Sequence, residues 1–111
     1  MEDTVDVELD VFSGRTNPRW KLTEKEATEL ASRLHELPEA GKAASFGLGY
    51  RGFVVHNPAR EFGIPSSLRI WQGISDLSRP KNPVHYADVH GAEALLTELA
   101  KAHGYAADLG R

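Results

Sequence analysis

The 111-residue sequence predicts an α+β domain, a mainly antiparallel sheet with two helices on one face. Three observations predict it. Val5, Val7, Leu9 and Val11 alternate with Asp6, Glu8 and Asp10, the period of two that marks a strand with one buried side. Ala27, Leu30, Ala31, Leu34 and Leu37 recur at helical spacing, as do Ala92, Leu95, Leu96 and Leu99. Between these two helices lie short apolar runs bounded by Gly, Pro and Asn, which read as further strands.

The first strand leads into a corner that packs Ser, Gly, Arg, Thr, Asn, Pro, Arg and Trp into residues 13–20. Thr23 then caps the first helix, with Glu26 three residues on as the other half of a capping box. Leu22 and Ala27 stand at the hydrophobic-staple positions, and Pro38 stops the helix. After a Gly- and Ala-containing connection, Tyr50 to His56 forms the second strand, closed by Asn57-Pro58. Ser67 to Gln72 forms the third, with Leu68 and Ile70 on one face and Arg69 and Trp71 on the other. Gly73 to His90 is a long segment in which Val84 to Ala87 is the place for one extra short strand.

The second helix ends with Lys101 and His103 at its negative pole and Gly104 at the left-handed cap position. The order is β-α-β-β-α in one domain, 1–105, with 106–111 as a loose tail. A right-handed crossover would make the first two strands co-directional, with the third antiparallel between or beside them in a ferredoxin-like arrangement.

Composition narrows the function classes. There is no cysteine, which excludes disulfide scaffolds and thiolate chemistry and fits a reducing, cytoplasmic setting. The acidic, alternating N-terminus is unlike a signal peptide, and no apolar run approaches a membrane span. A net charge of −3 argues against nucleic acid as a partner. The run GLGYRGFV, Gly47 to Val54, matches both a kinase glycine-rich loop and the dinucleotide fingerprint. It is preceded by a helix and followed by a strand, the reverse of what phosphate binding requires, so no nucleotide cofactor is expected. His56, His85 and His90 have no metal-ligand spacing, and Ser13, His56 and Asp88 lack a nucleophile elbow, so neither a metal nor a triad is expected.

Two features survive. The outer sheet face sets Asp6, Glu8 and Asp10 against Arg69 and Trp71, either a solvated acid–Arg ladder or a docking surface. The corner at 13–22 is expected to meet the loop after the second strand, gathering Arg15, Asn17, Arg19 and Trp20 with His56, Asn57 and Arg60 above the start of the first helix. Trp20 is there a core plug that pins the loop, or, if exposed, the cover over a bound group.

The leading expectation is a non-catalytic binding or accessory module. It would recognise a peptide or protein partner through the 13–22 loop and an exposed sheet edge, with assistance to a larger peptide-modifying enzyme as one form of that role. The alternatives are a small dimeric enzyme using His56, His85 or His90 near Tyr86 as acid or base, and an immunity-type or regulatory partner with the acidic strand face as its footprint.

Overall fold

The alternating N-terminal run becomes strand β1, Asp6–Leu9, with Val7 and Leu9 fully buried and Asp6 and Glu8 on the opposite side. The computed structural model describes residues 5–11, 16–40, 51–78, 81 and 83–109. The glycines at 47 and 49, and with them the start of the expected second strand, lie outside the described residues.

Part of the corner that reads as loop is in fact a strand. β2, Arg19–Lys21, pairs antiparallel with β1 in the register Asp6↔Lys21, Val7↔Trp20 and Glu8↔Arg19. Three residues are too few for alternation to announce a strand. What fixes this one is Trp20, 7% exposed, stacked on His103 at 5.2 Å and meeting Phe53 edge-on at 6.2 Å. A buried indole contributes enough area to pin so short a segment.

Helix α1, Glu24–Arg33, starts as the capping box requires: the Glu26 amide donates to Thr23 Oγ1 at 3.1 Å, and the Thr23 amide to Glu26 Oε1 at 3.0 Å. It ends short of Pro38, with Leu34 as its cap and Glu36 in a left-handed conformation. β3, Phe53–His56, and β4, Ser67–Ile70, follow the expected runs. Within 73–90 two strands form rather than one, β5, Ile74–Asp76, and β6, Val84–Tyr86. Helix α2, Ala92–Ala102, ends at a Gly104 with φ of 92°, as its sequence position predicts. The described part of the tail is helical, α3, Ala106–Leu109, and Leu109 packs partly buried against the core.

The sheet has six strands in the order β2-β1-β3-β4-β5-β6, and every neighbouring pair is antiparallel. The expected co-directional pairing of the first strand with residues 53–56 is therefore replaced by an antiparallel one. The cause is the β1–β2 hairpin, which reverses the chain before α1. The helical crossover thus joins β2 to β3, and these two are the co-directional pair, with β1 antiparallel between them. Ala27 and Leu30 of α1 and Ala92, Leu96 and Ala100 of α2 share one apolar cluster with Val7, Leu9, Trp20, Phe53, Val55, Leu68, Ile70 and Ile74. The opposite face of the sheet carries mostly polar side chains, with Val54 among them. None of the helices formed by the described residues is long and apolar enough to cross a membrane.

Candidate functional site

Cross-strand partners in an antiparallel sheet share a face. The register therefore lays Arg19, Glu8, Val54, Arg69, Ser75 and His85 in one row across all six strands of the open face. A second row holds Lys21, Asp6, His56 and Ser67. Even Val54 is nearly shut off from water, flanked as it is by Glu8 and Arg69.

Asp10 is the hub of this face. It is 9% exposed and takes Arg51 Nη2 at 2.9 Å and Arg69 Nη1 at 2.7 Å. Arg51 reaches it because Arg51 and Gly52 together oppose the single residue Asp10, a bulge: the Arg51 amide donates to the Asp10 carbonyl and the Asp10 amide to the Gly52 carbonyl. Gly52 is required there, since its φ is 81° and a Cβ would fall 2.2 Å from the Ile70 carbonyl oxygen. Burial pushes the Asp10 carboxyl up, but the two guanidinium hydrogen bonds and charges outweigh it and hold it below the usual carboxylate range. Glu8 behaves alike. Its burial is outweighed by hydrogen bonds from Asn17 and His56, with the charges of His56 and Arg19 adding to them.

The residues singled out from sequence fall into three groups. Asn17, Arg19, His56 and Arg69 do converge, on the carboxylates of Asp6, Glu8 and Asp10: Asn17 Nδ2 lies 2.8 Å from Glu8, Arg19 3.3 Å from Asp6, His56 Nε2 3.0 Å from Glu8, and Arg69 2.7 Å from Asp10. Asn17 also accepts from the Val11 amide, so it latches the returning loop to β1. A second group is interior. Trp20 lies in the core, and Asn57, fully buried, donates to the carbonyls of Glu61 and Ile64 and accepts from the Glu61 amide. Its amide shapes the turn carrying the short 3-10 segment Glu61–Gly63, with both N–H donors spent within that turn.

The third group is dispersed. Arg60 is exposed in a left-handed conformation beyond β3, His90 sits in the exposed turn before α2, and Tyr86 packs against the core from β6. Trp71 lines a cavity of about 430 Å³ with Gly73, Ser75, His85, Asp88 and Glu93. Arg15 lies outside the described residues.

The expected pocket of two loops does not form. The register Leu9↔Phe53 and Asp6↔His56 sends the loop after β1 and the loop after β3 to opposite ends of the sheet. Helix α1 begins at the His56 end, because the chain passes Leu22, bonded to Val5, before reaching it. Arg51 and Ser75 went unremarked in the sequence, and both belong to the polar face: Ser75 Oγ lies 2.8 Å from His85 Nδ1.

Chemically, the Glu8–His56 and Ser75–His85 pairs each orient an imidazole, but Asp88, the nearest acid in sequence to His85, is committed to capping α2 through the Ala92 and Glu93 amides. No group of three or more metal-ligating side chains occurs among the described residues.

The two sheet edges complete the site. On β6 the chain covers its own outer side: Glu39 bridges Tyr86, the Ala40 amide donates to the His85 carbonyl at 2.8 Å, and the Ala87 amide to the Pro38 carbonyl at 2.9 Å. On β2, no strand lies outside it among the described residues. Leu22 donates to Val5 and Leu9 to Pro18, so Val7 and Trp20 form the hydrogen-bonded pair between them. It follows that the backbone groups of Arg19 and Lys21 point away from β1. Compared with known proteins, the chain matches no family model, no curated protein and no solved structure.

Proposed function

We propose that this chain is a binding module that takes an extended segment of a partner protein along β2, adding a strand to the sheet. The observation that carries the reading is the outward-facing backbone of Arg19 and Lys21 on an edge strand, in a sheet whose other edge the chain closes itself. Strand addition needs little more than such an edge: main-chain hydrogen bonds supply affinity and alternate side chains supply choice. The edge is also held in place: Trp20 anchors it from below and Asn17 latches its approach. The described part of the 13–22 loop thus serves as the frame of the edge.

The test is an amide-resolved NMR titration of the chain with a panel of short synthetic peptides of high strand propensity. Binding is expected to shift the Arg19 and Lys21 amides, slow their exchange and leave the β6 amides unchanged. Lys21→Pro deletes one outward donor without touching the β1 ladder, and is expected to abolish binding while thermal unfolding shows a folded chain. Peptides that leave both β2 amides unmoved, or that bind the Pro variant equally well, sink the reading.

A further inference from the structure

We infer that the segment received by β2 has the pattern acidic–apolar–acidic, and that a second copy of this chain is not its occupant. This rests on the strand-addition reading above and adds the chemistry of the partner.

Arg19 and Lys21 lie on the same face of β2, two residues apart, with side chains 47% and 71% exposed. Both hydrogen-bond Asp6, whose side chain is only 27% exposed. The cations therefore stand at the rim and the carboxylate lies inside it, so an approaching strand meets positive charge first. Side chains directly opposite each other across an antiparallel pair come within about 4.5–5.5 Å, where opposite charges help and like charges hurt. Carboxylates opposite Arg19 and Lys21 satisfy that condition.

The chain already contains one solution to the same problem. From the inner side, β2 is paired by Asp6, Val7 and Glu8, which set an acid against Lys21, an apolar side chain against Trp20 and an acid against Arg19. An incoming strand of the same pattern repeats this arrangement on the outer side, its apolar residue following Trp20 toward the core face.

A second copy meets the opposite condition. Two β2 strands paired antiparallel about Trp20 would set Arg19 of each against Lys21 of the other, with four cations on one face and each Asp6 already bonded to its own pair. Charge on an edge strand is a common device against self-pairing, and here it selects at the same time.

The experiment uses the full chain and three peptides, TTDVETT, TTTVTTT and TTKVKTT, titrated while the Arg19 and Lys21 amides are followed by NMR. The acidic peptide is expected to bind about tenfold tighter than the neutral one, from two rim ion pairs, and the basic peptide weakest. Raising salt is expected to erase the advantage, as is the double variant Arg19→Gln, Lys21→Gln, which keeps the backbone edge. Equal binding of all three peptides at β2 overturns the acidic pattern and leaves strand addition standing. No response of β2 to any of the three overturns both. A concentration-dependent dimer in sedimentation, with the same two amides protected, overturns the choice of partner in favour of a second copy.

Discussion

The two edges of the sheet are built to one plan and finished differently. β2 and β6 are each three residues long, and each turns one large aromatic residue, Trp20 or Tyr86, toward the core. On β6 the segment from Pro38 to Ala40 returns along the outer side and takes up backbone groups of His85 and Ala87. On β2 the described residues supply no such cover, and the protection comes from Arg19 and Lys21. An unpaired edge invites indiscriminate pairing, and covering it or charging it are two remedies with different consequences. A covered edge is closed to every partner. A charged edge is closed to most and open to a complementary one, which is why the functional reading belongs on β2.

The comparison breaks most severely if the anchors are removed. Trp20→Ala is expected to cost about 3–5 kcal/mol, the range for truncating a buried aromatic, measured by urea unfolding. The loss should be local before it is global, with the β2 amides exchanging freely while those of β6 stay protected. A cost under about 1 kcal/mol, typical of an exposed site, would mean that β2 does not depend on its indole. Trp20→Phe is the milder control. The indole N–H is buried without a hydrogen-bond partner among the described residues, so the phenyl ring gives up shape and no bond.

Asp10 lies inside both edges and ties the end of β1 to Arg51, just before β3, and to Arg69 of β4. Asp10→Asn leaves Arg51 and Arg69, with side chains 18% and 22% exposed, facing a neutral amide, and is expected to cost about 2–3 kcal/mol near neutral pH. The pH dependence has a definite sign. The native carboxyl titrates below its ordinary value, so its contribution is fully present above about pH 4 and is lost as pH falls through the lower native value. Below that window the parent chain should converge on the Asn variant in urea midpoints. A gap that stays constant down to the acid limit would contradict the ion-pair account.

How much of this was legible depended on whether a pattern ran long enough. β1, the capping box and the Gly104 cap each carry a local signal of several residues, and each stands where the residues put it. β2 and β5 have three residues apiece, too short for periodicity, and only their partners reveal them as strands. The consequence of so short a strand is large: a corner taken as loop attaches the crossover to β1 instead of β2 and exchanges the ends of the sheet.

The polar face was half legible. Asp10 and Arg69 could be set on one side by alternation, and they do meet, 2.7 Å apart across β3. Arg51 could not. In the parity of its strand it belongs with Phe53 and Val55 on the core side, and the bulge at Gly52 brings it back to Asp10. A bulge is a local defect of register, and nothing in alternation alone announces it.

The smallest expected effect probes the finished edge. Ala40→Pro deletes the amide that donates to the His85 carbonyl, a loss of about 1 kcal/mol. Residue 39 precedes the new proline and is already in a bridge, so the extended backbone that proline favours is the one it holds. The stability change is minor, and the change in behaviour should be larger. With the Ala87–Pro38 bond as its remaining backbone tie, the cover is weakened, and β6 has His85 on its open face where β2 has two cations, so it lacks the guard that keeps β2 from a second copy. Sedimentation should therefore show the variant self-associating as its concentration rises while the parent chain does not. If the variant stays as monomeric as the parent, the Glu39 bridge is ornament rather than cover, and the contrast between a closed edge and a selective one loses its second half.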